Sequence, residues 1–184
     1  MKKPAKSDPK KRKGLIIVNT GDGKGKSTAS FGLALRAAGN KMNVFIMQFM
    51  KGPWKAGERK ALKELSTYVE YEAMGDGFTW DTENPEQDKK TAREAFDIAK
   101  EKLMSGKYQM VILDEINYIL DYKFFPLDEF LETLRNKPKD VHVVCTGRNA
   151  QEKLIELADL VTEMKLIKHP YDDQGIPAQK GIEF

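Results

Sequence analysis

Residues 20–28, TGDGKGKST, have the side-chain types and spacing that hold a phosphate chain. They follow an apolar run that ends in LIIVN and precede an amphipathic one. Glycines let the backbone approach phosphate oxygens, and successive N–H groups at a helix N-terminus bind anions. The residues expected to hold a nucleotide here are Gly21, Asp22, Gly23, Lys24, Gly25, Lys26, Ser27 and Thr28.

The end of this stretch, G-K-S at residues 25–27, matches the Walker A pattern G-x-x-x-x-G-K-[ST], although Thr20 stands where that pattern begins with glycine. Lys26 is expected to neutralise phosphate charge, and Ser27 or Thr28 to bind Mg²⁺. The pattern predicts phosphate binding, but it leaves open which bond of the nucleotide breaks.

Two carboxylates follow the apolar run MVIL at the end of a predicted strand. Asp114 and Glu115 in this position are typical of a Walker B element, which holds Mg²⁺ directly or through water. Side chains alternate along a strand, so the two point different ways and one reaches the ion. Glu115 is expected beside the metal together with Ser27, with Asp114 in support.

Other loops that follow predicted strands carry further candidates. Arg148, in TGR, is expected to reach the phosphates. Gln48 and Lys51, in QFMKG, are expected to border a substrate. Phe78 and Trp80, in GDGFTW, are aromatic residues in a glycine-bearing loop, which fits either a local apolar plug or a ligand platform. No Ser-His-Asp or Cys-His set suggests a protein nucleophile.

The elements that position these loops alternate along the chain. Strands are predicted over residues 14–20, 43–49, 68–74, 108–114, 141–147 and 160–167. Helices are predicted over residues 26–39, 56–66, 84–106, 126–136 and 150–158. This alternation predicts an α/β fold with a mainly parallel sheet and helices on both faces. Ligands bind beyond the carboxyl ends of such strands, where all the loops above lie.

Composition narrows the class of protein. The 184 residues are enough for one domain, and one cysteine with two histidines gives no basis for a zinc cluster. The first 13 residues carry seven Lys or Arg and one Asp, so the overall charge of +3 leaves residues 14–184 at −3. We expect a basic flexible tail over 1–13, one nucleotide-binding domain over 14–184, a cytoplasmic location, and no nucleic-acid or membrane partner.

The ordered blocks of the sequence resemble one family. TGDGKGKSTASFG, QFMKG, GFTW, LDEINY, TGR, ADLVTEM and KHPYDDQGIPAQKGIEF occur in the order seen in P-loop-type ATP:corrinoid adenosyltransferases. The resemblance runs from Gly14 to Phe184. It implies a RecA-like fold, and it implies that residues 168–184 lie near the site.

The resemblance also implies a chemistry. ATP lies in the phosphate loop in a reversed sense, so its ribose 5′-carbon faces a corrinoid whose Co(I) attacks that carbon and releases triphosphate. The catalytic residues implied are Lys26, Phe78, Trp80 and Glu115, with the aromatic pair helping to remove the lower axial ligand of Co(II). Implied partners are Mg²⁺ or Mn²⁺, a flavoprotein reductase and a second subunit in a homodimer. Better-known members of the family often carry a longer N-terminal segment, which can form a helix that covers the corrinoid. Only 13 residues precede Gly14 here, so we expect a reduced lid, or a lid formed by the partner subunit or another loop.

Two other activities would use some of the same sequence motifs. A P-loop kinase or NTPase that cleaves the γ-phosphate would use the same loop and acidic strand end, but it leaves GFTW and the C-terminal block without a role. A nucleic-acid-dependent ATPase would use the basic tail, and the acidic body disfavours it.

Overall fold

The computed structural model describes residues 13–49, 57–75 and 84–183. Its strands are β1 (Ile16–Thr20), β2 (Val44–Phe49), β3 (Val69–Met74), β4 (Met110–Asp114), β5 (His142–Thr146) and β6 (Leu160–Glu163). Its helices are α1 (Lys26–Gly39), α2 (Gly57–Glu64), α3 (Pro85–Met104), α4 (Ile116–Asp121), α5 (Leu127–Arg135), α6 (Glu152–Leu157) and α7 (Pro170–Gln174).

The strands form one parallel sheet in the order β3-β2-β4-β5-β1-β6. Strand β1, which leads into the phosphate loop, pairs with β5 and β6, and β4 pairs with β2 and β5. The loops after β1, β4 and β5 therefore leave the sheet side by side at one edge. The predicted α/β fold with a parallel sheet is confirmed.

Helices cover both faces of the sheet, as predicted. On one face, Phe31 of α1 and Leu62 of α2 pack with Ile46 and Ile112 of the central strands. On the other face, Phe96 of α3 belongs to a larger cluster that includes side chains of α4, α5 and α6. The central strands β2 and β4 are buried at every position, as near-continuous apolar runs predict. This rigid sheet fixes the spacing of the loops at its carboxyl edge.

Capping residues, proline and glycine explain where the long helices begin and end. The Asn84 side chain accepts a hydrogen bond from the Gln87 N–H at 3.2 Å, which caps α3, and Pro85 occupies its first turn. Gly106 follows α3 with a φ of 71°, a left-handed conformation suited to glycine after a helix. Helix α1 matches its predicted bounds, 26–39, at both ends.

Two short helices were not predicted, and the last strand is shorter than expected. Helix α4 begins directly after the acidic strand end, where Ile116, Ile119 and Leu120 are buried at helical spacing. Its six residues are too few to show a clear period. Helix α7 lies in the C-terminal block, and β6 ends at Glu163 rather than at residue 167.

Three further features concern the single cysteine, the N-terminal segment and the lengths of the helices. Cys145 is fully buried in β5, where burial raises the pKa of its thiol to about 12. Of the predicted basic tail, only Lys13 is described, and its ammonium pairs with Asp159. Within the described ranges, no helix is long and apolar enough to cross a membrane.

Candidate nucleotide site

The phosphate loop is packed against the chain that follows β6. The Gly23 N–H donates to the Met164 carbonyl at 2.7 Å, and the Met164 N–H donates to the Thr20 carbonyl at 2.8 Å. A Cβ at Gly21 or at Gly23 would lie 2.5 or 2.7 Å from the Met164 oxygen. Glycine is therefore required at both positions by contact with a neighbouring backbone, in addition to any need for a close approach by a ligand.

The loop ends at the open N-terminus of α1. Gly25 precedes the helix with a φ of 111°, and no side chain caps the first turn. No acidic residue lies in that turn. The first N–H groups of a helix lack intrahelical partners and carry partial positive charge, so this end of α1 is suited to a phosphate.

Lys26 is the first residue of α1, and its side chain turns back over the loop. Its ammonium donates to the carbonyl oxygens of Gly21 and Gly23, at 2.8 Å each. Burial lowers the pKa of Lys26 below its usual value, and the nearby Glu115 carboxylate opposes that shift. A cation is thus held directly at the concave surface of the loop.

Asp114 and Glu115 have different surroundings, as strand alternation predicted. Asp114 is fully buried, and its two oxygens accept hydrogen bonds from Gln48 Nε2 at 2.6 Å and from the Thr146 hydroxyl at 2.7 Å. The Tyr71 hydroxyl in turn donates to Gln48. The expectation that Gln48 borders a substrate is therefore corrected. The residue is only 1% exposed, and its side chain instead donates a hydrogen bond to Asp114.

Glu115 occupies the junction between β4 and α4 with a φ of 64°, which is uncommon for a residue with a side chain. Its N–H donates to the Thr146 hydroxyl oxygen at 2.9 Å. A Cβ at Gly147 would lie 3.2 Å from Glu115 Oε2, so glycine in TGR makes room for this carboxylate. Asn117 completes the junction by donating from Nδ2 to the Gly147 carbonyl at 2.9 Å.

These groups surround a pocket with a volume of about 410 Å³. Most predicted nucleotide-binding residues line it, namely Asp22, Gly23, Lys24, Gly25, Lys26, Ser27 and Thr28, together with Glu115 and Arg148. Arg148 Nε lies 3.8 Å from Asp22 Oδ1, so the guanidinium lies beside the phosphate loop. Gly21 lies in the same loop beside Met164, whereas Asp114 is fully buried and does not line the pocket.

Four residues of the pocket lining were missed from the sequence: Glu58, Tyr118, Ile182 and Glu183. Tyr118 lies three residues after Glu115, so a correct prediction of α4 would have placed it on the site. Ile182 and Glu183 belong to the C-terminal block that was expected near the site without assigned residues. Lys51, Phe78 and Trp80 lie outside the described residues, so their predicted roles stay predictions.

The sequence of the whole described body matches a known family. Residues 12–184 match the family model described as ATP:corrinoid adenosyltransferase BtuR/CobO/CobP. This chain belongs to the ATP:corrinoid adenosyltransferase family.

Curated relatives agree with this family assignment. A corrinoid adenosyltransferase of Sinorhizobium sp is 48% identical over 94% of this chain and 81% of its own length. That of Escherichia coli (strain K12) is 44% identical over 94% of this chain and 86% of its own length. The corrinoid adenosyltransferase CobA of Salmonella typhimurium is 41% identical over 94% of this chain and 86% of its own length. The predicted membership in the ATP:corrinoid adenosyltransferase family is confirmed.

Proposed function

We propose that this protein transfers the 5′-deoxyadenosyl group of ATP to the cobalt of a corrinoid and releases triphosphate. The observation that carries the proposal is the match of residues 12–184 to the ATP:corrinoid adenosyltransferase family, in a chain whose phosphate loop opens into a pocket. Family membership favours this activity over γ-phosphate cleavage and over a nucleic-acid-dependent ATPase.

The reaction needs no protein nucleophile, because Co(I) of the corrinoid substrate attacks the 5′-carbon of ATP. The cobalt electron pair forms the Co–C bond, the C5′–O bond breaks, and its electrons leave with the triphosphate. Cobalt is thereby oxidised from Co(I) to Co(III). ATP must lie with its triphosphate in the loop and its ribose toward the corrinoid, the reversed sense that the family resemblance implies.

The protein's main task at the phosphate end is to stabilise the departing negative charge. Lys24, Lys26 and Arg148 line the pocket, and the first amides of α1 are left without a side-chain cap at the end of the loop. Fixed donors of this kind lower the barrier because they need no rearrangement as charge develops. Holding ATP and the corrinoid in line would contribute much of the remaining rate enhancement.

The donor set of the pocket fits a divalent cation. Ser27 supplies a hydroxyl and Glu115 a carboxylate to the same pocket, and hard cations such as Mg²⁺ or Mn²⁺ prefer oxygen ligands. When bound, the ion would neutralise part of the triphosphate charge. Asp114 is assigned a positioning role, since Thr146 links its carboxylate to the Glu115 backbone.

The remaining parts of the proposal come from the sequence. Phe78 and Trp80 are assigned to the corrinoid, where an apolar wall would disfavour the lower axial ligand of Co(II) and ease its reduction. A flavoprotein reductase, a homodimer and a cytoplasmic location complete the account, with residues 14–184 acting as one domain behind the basic tail of residues 1–13.

Incubation with ATP, Mg²⁺ and chemically generated Co(I) corrinoid tests the proposal. We expect the absorption spectrum to change to that of an alkyl-cobalt corrinoid, with one triphosphate formed for each adenosyl group transferred. A Lys26→Ala variant should lose this activity, whereas Lys90→Ala on the exposed surface of α3 should keep it. ADP and phosphate without a cobalt–carbon product would refute the proposal.

A further inference from the structure

The end of the C-terminal arm, which we define as residues 175–183, reaches the phosphate loop. Ile182 and Glu183 line the nucleotide pocket. The Lys24 ammonium donates to Glu183 Oε2 at 2.7 Å, although the two residues are 159 positions apart in the sequence. A carboxylate therefore pairs with one of the cations that we assign to the triphosphate.

Local turns aim this carboxylate at the loop. The arm begins at Gly175, whose φ is 66° and whose N–H donates to the Tyr171 carbonyl at 2.7 Å. It ends in a second turn, in which the N–H groups of Ile182 and Glu183 donate to the Gln179 carbonyl at 3.1 and 2.9 Å. Gly181 has a φ of 82°, so glycine permits the bend that directs Glu183 toward Lys24.

Most of the C-terminal arm lies exposed on the surface of the protein. Ile176 is half-buried, and the other residues of the arm are exposed. Ile182 is 78% exposed. A segment with few buried apolar contacts opens at low free-energy cost, so the arm can move without disturbing the sheet.

The charges of the pocket make Glu183 a competitor of phosphate. Among the residues that the structure describes, three cations line it, Lys24, Lys26 and Arg148. Four carboxylates from the same part of the chain line it as well, Asp22, Glu58, Glu115 and Glu183. An oxygen of triphosphate that takes the Lys24 N–H now donated to Glu183 Oε2 must displace that carboxylate, so the two anions compete for this donor.

We propose that Glu183 sets the affinity of the site for triphosphate by competing with it for Lys24. The inference rests on the proposed function, in which intact triphosphate is the product that must leave. A polyphosphate held by several cations dissociates slowly, and product release often limits turnover. Return of Glu183 to Lys24 would weaken the last contacts of the product and speed its release.

Binding of sodium triphosphate, measured by calorimetry at low salt without corrinoid, tests the inference independently of adenosyl transfer. Glu183→Gln should lower the Kd for triphosphate about threefold, the effect expected from loss of a partly exposed ion pair. The gain should shrink at high salt because screening weakens the Lys24–Glu183 ion pair that the substitution removes. Glu132→Gln, which makes the same charge change at an exposed position of α5, should leave the Kd unchanged.

A double-substitution comparison tests the role of Lys24. In a Lys24→Gln background, Glu183→Gln should change the Kd for triphosphate by less than about 1.5-fold, because the contested cation is gone. An equal gain in both backgrounds would overturn the competition. So would a Kd that is unchanged or raised in Glu183→Gln, or failure of both the unsubstituted protein and this variant to bind triphosphate.

Discussion

The Thr146 hydroxyl joins the two acidic residues of the site, because it donates to Asp114 at 2.7 Å and accepts the Glu115 N–H at 2.9 Å. One oxygen atom thus connects a buried carboxylate to the backbone of the residue expected beside the metal. Since Glu115 also adopts an uncommon positive φ, this link holds a conformation that the residue would rarely adopt alone.

Removal of the Thr146 hydroxyl should lower both the unfolding free energy and the adenosylation rate. Thr146→Val keeps the side-chain shape but leaves Asp114 without one of its donors, which should cost about 1–3 kcal/mol of unfolding free energy. Urea unfolding and adenosylation rates at saturating ATP provide the measurements.

Thr133→Val is the matched control for that experiment. The Thr133 hydroxyl is also nearly buried and donates to the Glu129 carbonyl at 2.9 Å within α5, away from the pocket. Thr133→Val should therefore leave the adenosylation rate per folded molecule unchanged. If Thr146→Val also left that rate unchanged, the positioning role of Asp114 and Thr146 would be wrong.

Substitution of Glu115 should affect the metal dependence of the reaction. Glu115→Gln removes a charged oxygen ligand, so the Mg²⁺ concentration for half-maximal activity should rise by about tenfold or more. A titration of adenosylation rate against Mg²⁺ measures this shift, with Glu101→Gln on the exposed surface of α3 as control. Equal Mg²⁺ curves for the two variants would remove Glu115 from the metal site.

The aromatic pair should matter for reduction more than for nucleotide binding. The double substitution Phe78→Ala with Trp80→Ala should leave the Kd for ATP unchanged and sharply slow adenosylation that starts from Co(II). Supply of chemically generated Co(I) should restore most of the rate, because the reduction step is then bypassed. Full activity of the double variant from Co(II) would contradict the role assigned to this loop.

A cluster away from the pocket predicts how stability depends on pH. Glu70 accepts hydrogen bonds from Lys102, Lys107 and Tyr108, which lower its pKa from 4.5 to about 2. Its stabilising contribution is therefore complete above pH 4.5 and lost as the pH falls through about 2. Because 34% of the Glu70 side chain is exposed, solvent screening limits the contribution to about 1 kcal/mol.

Glu70→Gln should accordingly reduce the unfolding free energy at pH 7 by about 1 kcal/mol. The difference from the unsubstituted protein should narrow as the pH falls from 4.5 through about 2, because both side chains become neutral below that pH. Urea unfolding across this range gives the comparison, and Glu132→Gln controls for the loss of charge. A difference that stays constant with pH would show that Glu70 acts by packing rather than by charge.

The sequence predicted those parts of the molecule that depend on local spacing. Helix α1 and the phosphate loop follow from glycines placed between an apolar strand and an amphipathic run, and Glu115 follows from its place at a strand end. The Asp114–Thr146 bond joins residues 32 positions apart, and the Lys24–Glu183 pair joins residues 159 positions apart. Such contacts depend on how strands and arms meet in space, which no local pattern encodes.

The most direct test follows the 5′-carbon of ATP. The protein is incubated with Mg²⁺, chemically reduced corrinoid and ATP carrying ¹³C at that carbon, and the products are examined by ¹³C and ³¹P NMR. We expect the label to become bonded to cobalt while all three phosphorus atoms leave together as triphosphate. Label that remains in ADP, with free phosphate as the second product, would contradict it.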